Sequence, residues 1–360
     1  MKRAYNFNAG PAALPEEVLQ EAQNNLLNFN NTGMSVMELS HRSKEYEAVH
    51  NEAKARLSSL LSIPEDYEIL FLQGGASLQF SMIPMNLLEE NKVAYYALTG
   101  AWSEKALKEA AKIGETAVTV SSKEANYTYI PNLEEIKVPE DAAYLHVTSN
   151  NTIFGTQWHA YPEGLSVPLI ADMSSDILST PIDVKQFDLI YAGAQKNLGP
   201  SGVTVVIIKK ELIKANSSLP TILSYDTHAK NNSLFNTPPT FAIYLLSLVL
   251  KWGEKQGGLE GIAAINDKKA QSLYDVIDNS NGFYKGHAEK NSRSKMNVTF
   301  TLQSDDITKQ FLQQAKEAGF VGLNGHRSVG GCRASIYNAV PLEHVQALAS
   351  FMENFQKNYN

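Results

Sequence analysis

The chain has 360 residues, and 31 basic against 38 acidic side chains leave a formal charge of −7, so no cationic excess awaits a nucleic-acid backbone or an anionic membrane. With 43% hydrophobic and 19% charged positions it reads as a globular chain with a packed core, long enough for about two domains. Its one cysteine, Cys332, excludes an internal disulfide and a cysteine-based zinc site, and suits a reducing cytoplasm.

The N-terminal residues lack the apolar stretch of a secretory signal, so no export is expected. From about residue 16 to residue 210, amphipathic stretches alternate with short apolar runs closed by glycine or a small polar residue, the pattern of an α/β sheet. Helices are predicted over 16–28, 43–61 and 103–113, the last with Ser103 as N-cap and Gly114 just past its end. Strands are predicted over 68–72, 93–98, 116–120, 143–147, 168–171, 189–192 and 203–208. Seven strands with helical crossovers predict a mostly parallel sheet covered by helices on both faces.

The apolar run 241–250 is half the length of a membrane span, which needs about 20 residues, and reads as a core helix entered from Pro238 and Pro239. Residues 251–261 carry four glycines and mixed charges and predict a domain boundary. The expected division is an N-terminal segment 1–15 near the active site, a large domain 16–262, and a small α+β domain 263–360. Within the last, helices are predicted over 264–277, 307–318 and from Leu342 onward, with strands over 297–302 and 334–337.

The stretch Tyr191-Ala192-Gly193-Ala194-Gln195-Lys196-Asn197-Leu198-Gly199 sets one lysine just past an apolar strand among small residues. Most lysines are solvated surface charges. Here the small neighbours leave room for a bulky adduct, and desolvation at a strand end draws an amine toward its nucleophilic free base. Asp172, in Ala171-Asp172-Met173-Ser174-Ser175, closes another apolar run. A lysine and an aspartate on one sheet edge match pyridoxal phosphate, which takes a Schiff base on the amine and a carboxylate at its pyridine nitrogen. A turn or N-cap role is the plain alternative for Asp172.

Gly74-Gly75-Ala76-Ser77, between a strand and a helix-like pattern, reads as a phosphate cradle, although a double glycine can equally be an ordinary turn. Trp102 follows another strand end, placed to stack on a planar ring or to fill core. Three of only six arginines fall in Ser40-His41-Arg42-Ser43 and in Gly325-His326-Arg327-Ser328-Val329-Gly330-Gly331-Cys332-Arg333. Guanidinium groups beside histidine bind carboxylate or phosphate, so a substrate with several negative charges is expected.

These stretches, with Asn6-Phe7-Asn8-Ala9-Gly10-Pro11-Ala12 and the run from Gly33 to Arg42, resemble the phosphoserine aminotransferase family over essentially the whole chain. That family belongs to the class V aminotransferases among fold-type I pyridoxal phosphate enzymes. The resemblance implies Lys196 as Schiff-base lysine and proton shuttle, Asp172 on the pyridine nitrogen, Trp102 stacked on the ring and Thr152 bonded to the cofactor. It implies Ala76, Ser77 and Gln195 on the cofactor phosphate, with Asn236 and Thr237 reaching it from the neighbouring subunit of a homodimer. Arg333 would bind the substrate α-carboxylate, with His41, Arg42, His326 and Arg327 around a phosphate or the distal carboxylate of glutamate.

The implied reaction is the ping-pong exchange of O-phospho-L-serine and 2-oxoglutarate for 3-phosphooxypyruvate and L-glutamate in serine biosynthesis, extending to 4-phosphohydroxy-L-threonine in pyridoxine biosynthesis. Two positions depart from the family pattern: Asn151 stands where glutamate is common, and Ser77 where some relatives carry arginine. The rival readings are an alanine-type aminotransferase or cysteine desulfurase of the same group, and a non-catalytic binder of phosphorylated metabolites.

Overall fold

The apolar runs pair into one seven-stranded sheet in the computed structural model, which describes residues 3–359. In chain order the strands are β1 (Tyr67–Leu72), β2 (Val93–Leu98), β3 (Glu115–Ser121), β4 (Tyr144–Thr148), β5 (Leu169–Asp172), β6 (Leu189–Gly193) and β7 (Thr204–Lys209). Their spatial order is β1-β7-β6-β5-β4-β2-β3; β7 runs antiparallel to both neighbours and the other pairs are parallel. β4, β5 and β6 are buried at every position, as strands covered on both faces must be.

The helices in chain order are α1 (Glu16–Asn24), α2 (Lys44–Leu61), α3 (Gly75–Leu87), α4 (Ala101–Ala110), α5 (Tyr225–Lys230), α6 (Thr240–Lys255), α7 (Gly258–Asp278), α8 (Asp305–Glu317) and α9 (Leu342–Lys357). Ala53 and Leu57 of α2 and Ile243 and Leu246 of α6 pack on the sheet face that carries Val147, Ala171 and Ala192. Phe80 of α3 and Ala106 of α4 cover the opposite face, which carries Tyr96, Ile170 and Tyr191. The architecture is the mostly parallel, doubly covered α/β sheet that the sequence predicts.

Three local expectations fail for identifiable reasons. Helix α1 stops at Asn24 rather than continuing to residue 28. Helix α4 begins at Ala101, so Ser103 sits one turn in; its hydroxyl accepts from the backbone N–H of Thr99 and Gly100 instead of capping as the first residue. The glycine-rich stretch 251–261 is no linker: α6 runs to Lys255 and α7 starts at Gly258, so the expected boundary at residue 262 falls inside a helix. A Cβ at Gly261 would lie 2.0 Å from the Gln256 carbonyl oxygen, so glycine here permits a tight helix-to-helix turn.

A second core gathers Leu273 and Ile277 of α7, Phe311 of α8, and Leu348 and Met352 of α9 around the antiparallel strands Tyr284–Gly286, Asn297–Leu302 and Cys332–Ser335. The last of these begins two residues before its predicted start. Phe7 joins this core, and Tyr5–Asn6 pairs with Phe320–Val321. The chain then passes over the carboxyl end of β6, where the Ala12 N–H donates to the Gln195 carbonyl at 2.8 Å. Among the described residues no helix is long and apolar enough to cross a membrane.

Candidate active site

Parallel strands deliver their carboxyl ends to one edge, where open α/β sheets collect ligand groups. Lys196 lies three residues past β6, in a loop closed by the Gly199 N–H on the Ala194 carbonyl. Burial holds its amine below the usual lysine value, against the opposing pull of Asp172 and Asp176. The Gly10 backbone covers its aliphatic stem: a Cβ there would lie 3.6 Å from Lys196 Cγ. Its Nζ stands 5.5 Å from the centre of the Trp102 ring.

Asp172 is the last residue of β5, and its Oδ1 accepts from both the N–H (3.0 Å) and the hydroxyl (2.6 Å) of Ser174. The Ser174 oxygen in turn accepts from the Gly193 N–H at 3.1 Å, tying the two strand ends together. Helix α3 opens after β1 with Gly74 at φ 84° as its N-cap. A Cβ on Gly74 would press to 2.6 Å of the Leu78 side chain. The N–H groups of the first turn, Ala76 and Ser77 among them, have no carbonyl one turn back to bond, which makes this end receptive to an anion.

Trp102, in the first turn of α4, donates its Nε1–H to the Thr152 hydroxyl at 3.0 Å, and the Thr152 carbonyl accepts from Arg333 Nη1 at 2.9 Å. Arg333 Nε is buried without a partner, an uncommon state for a guanidinium N–H and a natural place for a carboxylate oxygen. Asn151, where the family pattern favours glutamate, is buried and bonded to Thr99 and Thr156. It fills the space beside Gly100, whose Cβ would lie 2.4 Å from Asn151 Oδ1.

His326 and Arg327 sit on the loop between Leu323 and Cys332, whose Val329 packs on the cluster of Tyr127, Ile153 and Phe154. Burial first, then the positive charges of Arg333, Arg327 and Lys105, lower the His326 pKa, so these cations share one locality. Lys105 was not singled out in the sequence; its Nζ lies 4.1 Å above the Trp102 ring, one helical turn along α4. Ser174 was likewise missed as a ligand of Asp172, although it stands in the same short motif. A second acid at this edge, Asp176, is buried between Ser149 and Gln157, and desolvation raises its pKa to about 7.

Four expected residues make no bond to this cluster within one chain. His41 and Arg42 precede α2, and Asn236 and Thr237 precede α6; among the described residues no hydrogen bond or ion pair joins them to Lys196, Asp172, Trp102 or Arg333. The segments carrying them share one satellite core, in which Val36, Leu39 and Tyr46 meet Leu234, Tyr244 and Leu248. Gln73, at the end of β1, donates to the Thr237 carbonyl at 3.2 Å. The remaining donor set fits pyridoxal phosphate: an amine of lowered basicity, a carboxylate held by Ser174, a flat indole, and a helix start with free N–H groups.

Comparison with known proteins agrees with this geometry. The family model described as aminotransferase class-V matches residues 4–348. A phosphoserine aminotransferase of Geobacillus kaustophilus is 69% identical over the full length of both chains. The solved structure of phosphoserine aminotransferase from Bacillus circulans subsp. alkalophilus superposes with a TM-score of 0.99 at 59% identity, covering all of both chains. A phosphoserine aminotransferase structure describing radiation damage of the Schiff base superposes at 0.98 with 61% identity, covering 99% of this chain and 100% of that one. The chain belongs to the class-V aminotransferases and, within them, to the phosphoserine aminotransferase family.

Proposed function

We propose that the chain exchanges O-phospho-L-serine and 2-oxoglutarate for 3-phosphooxypyruvate and L-glutamate, with pyridoxal phosphate as cofactor, as a step of serine biosynthesis in the cytoplasm. The observation that carries this reading is an amine of lowered basicity, Lys196, close to Arg333, which in turn neighbours the Arg327 guanidinium and the His326 imidazole. Bound pyridoxal phosphate supplies an electron sink for the pair left by an α-proton, and a carrier for the amino group.

The chain's own residues divide the remaining work. Asp172, held by Ser174, would hold the ring nitrogen of the bound cofactor and keep a proton there. Trp102, steadied by Thr152, would cover the ring of the bound cofactor, and the Thr152 hydroxyl proton would stay available to it. Lys196 Nζ, as free amine, accepts the α-proton of the amino donor and returns a proton on the way to product. Arg333 takes the α-carboxylate on its unpartnered Nε, and His326 and Arg327 take the distal phosphate or carboxylate. Phosphoserine and glutamate both carry an α-carboxylate and a distal anion, so one pocket serves both in alternating ping-pong halves. 4-Phosphohydroxy-L-threonine has the same two anions and belongs to the same substrate class.

Ala76, Ser77 and Gln195 would hold the cofactor phosphate, completed by Asn236 and Thr237 of a second copy in a homodimer. His41 and Arg42 share a satellite core with those two residues, so the same second copy presents all four. The first sheet and its helices, through the first turn of α7, form the large domain, and the second core, from the later turns of α7 onward, the small one. A desulfurase reading is disfavoured because Cys332 is buried and its thiol is pushed up to about 12, which suppresses the thiolate. An alanine-specific enzyme has no use for His326 and Arg327, and a simple binder none for Lys196. Turnover of phosphoserine should exceed that of alanine by on the order of a hundredfold or more, since a site built for a charged group is left unpaired by its absence. Equal turnover would remove the substrate assignment.

A further inference from the structure

Behind Asp172, on the sheet face covered by α3 and α4, lies a line of buried polar side chains that the proposed mechanism does not use. Asp172 and Tyr191 are register partners on the adjacent parallel strands β5 and β6, so their side chains leave the sheet on the same face. The Asp172 carboxylate lies near enough to the Tyr191 hydroxyl to oppose its ionisation, which places the phenol as a donor toward it. On its other side it lies 2.9 Å from His146 Nε2, on β4. The His146 ring stacks on Tyr96 at 4.9 Å with an interplanar angle of 29°. Tyr191 is fully buried and His146 1% exposed, so no solvent competes for these bonds.

The direction of the protons follows from the donor inventory. A carboxylate only accepts, so the Tyr191 hydroxyl gives its proton to Asp172 and accepts from His146. His146 must then carry its proton on Nε2, leaving a bare lone pair on Nδ1. Among the described residues His146 Nδ1 is buried with no partner in hydrogen-bond geometry, a state that a lone pair bears at lower cost than an N–H. Burial lowers the His146 pKa to about 3 and raises that of Tyr191 well above the usual phenol value, so both stay neutral across the working range. The other titratable groups facing Tyr191 are Tyr96 and Tyr225. Their hydroxyls are engaged elsewhere, with Tyr144 at 2.9 Å and with Gln79 at 2.6 Å.

We infer that His146 and Tyr191 form a neutral, one-directional hydrogen-bond relay that positions the Asp172 carboxylate and sets how firmly it leaves the proton on the cofactor's ring nitrogen. They are positioning residues: neither touches substrate, and each acts through Asp172. The inference rests on the reading of Asp172 as the partner of that nitrogen. Without the Tyr191 hydroxyl the carboxylate would lack one donor and would hold the ring proton closer to itself. A less positive ring withdraws less from the attached lysine nitrogen, which then keeps its proton to higher pH.

Two variants test this in the full-length protein loaded with pyridoxal phosphate: Tyr191→Phe, which keeps the ring packing, and His146→Leu, which removes the upstream donor. In Tyr191→Phe the pH midpoint of the bound cofactor's visible band should rise by about half a unit or more. Cofactor affinity, read by quenching of tryptophan fluorescence, should weaken about tenfold, as expected for a hydrogen bond to a charged group. The KM for phosphoserine should stay unchanged while kcat falls. His146→Leu should move the same readouts in the same direction by less, and it carries the test alone if Tyr191→Phe does not fold. A band midpoint and an affinity equal to the parent's in every variant that folds would overturn the relay. A parent protein with no visible band at all would instead overturn the cofactor reading on which it rests.

Discussion

Lys269, on α7, is buried with no carboxylate partner among the described residues; its Nζ lies within hydrogen-bond distance of the carbonyls of Ile336 (2.9 Å), Tyr337 (2.7 Å) and Val340 (3.2 Å). The loop it fastens carries Asn338, whose N–H donates to Asn197 beside Lys196, so the contact bears on the active-site loop as well as on stability. Desolvation lowers the Lys269 pKa from 10.5 to about 7. Between those values the unfolded chain binds a proton that the folded chain does not, so stability rises with pH across this window and the gain disappears below the folded value. The linkage amounts to about 2 kcal/mol between about pH 7.5 and pH 9. Lys269→Met removes that slope and strands three carbonyls, so its deficit in unfolding free energy should grow with pH by the same amount. Urea unfolding of parent and variant at each pH measures it. The Cys332 thiol and the buried tyrosines titrate alike in both proteins and cancel in the difference. A deficit that stays constant from pH 7.5 to pH 9, to within roughly half a kcal/mol, would show that the amine remains charged on its three carbonyls and that the burial argument is wrong.

Three further outcomes are expected. Arg333→Gln should lower kcat/KM about a hundredfold for phosphoserine and for glutamate alike, because the α-carboxylate is common to both; a loss confined to phosphoserine would reassign Arg333 to the phosphate. Asp176 is an acid whose pKa is raised from 3.8 to about 7, so the folded state binds the extra proton and stability falls as pH rises through that window. Asp176→Asn should therefore gain about 2 kcal/mol on its parent between about pH 5 and pH 7, and a pH-independent difference in thermal unfolding would refute this. Gly100→Ala drives a methyl to 2.4 Å of Asn151 Oδ1, whose bonds to Thr99 and Thr156 leave it little room to yield. A cost of about 1–3 kcal/mol and a lower Tm are expected, whereas an unchanged Tm would mean that Asn151 moves freely.

The sheet was legible because its strands are apolar runs closed by small residues, and the chemistry gathers at the ends of those runs. Lys196, Asp172, Trp102 and the double glycine before α3 each follow a strand end, so strand order alone brings them together. Boundaries that depend on tertiary contact were less legible. The stretch 251–261 looks like a linker by composition, yet it folds as two helices because Gly261 allows the Gln256 carbonyl to approach. Ser103 looks like an N-cap, yet Gly100 takes that place and Ser103 reaches back to it from the first turn. Tyr191 and His146 could not be singled out, because their contact follows from which strands lie side by side and in which register. Lys105 lies over Trp102 only once the intervening residues are known to be helical. The roles proposed for Asn236 and Thr237 came from family resemblance alone and those of His41 and Arg42 also from a histidine standing beside a guanidinium, and among the described residues of one chain no hydrogen bond or ion pair joins any of the four to Lys196, Asp172, Trp102 or Arg333.

The most direct measurement is reduction of the purified protein with borohydride, followed by mass mapping of its peptides. The account requires a pyridoxyl adduct on the peptide containing Lys196 and loss of turnover in proportion to its yield. An adduct on another lysine, or full activity after Lys196→Ala, would contradict it.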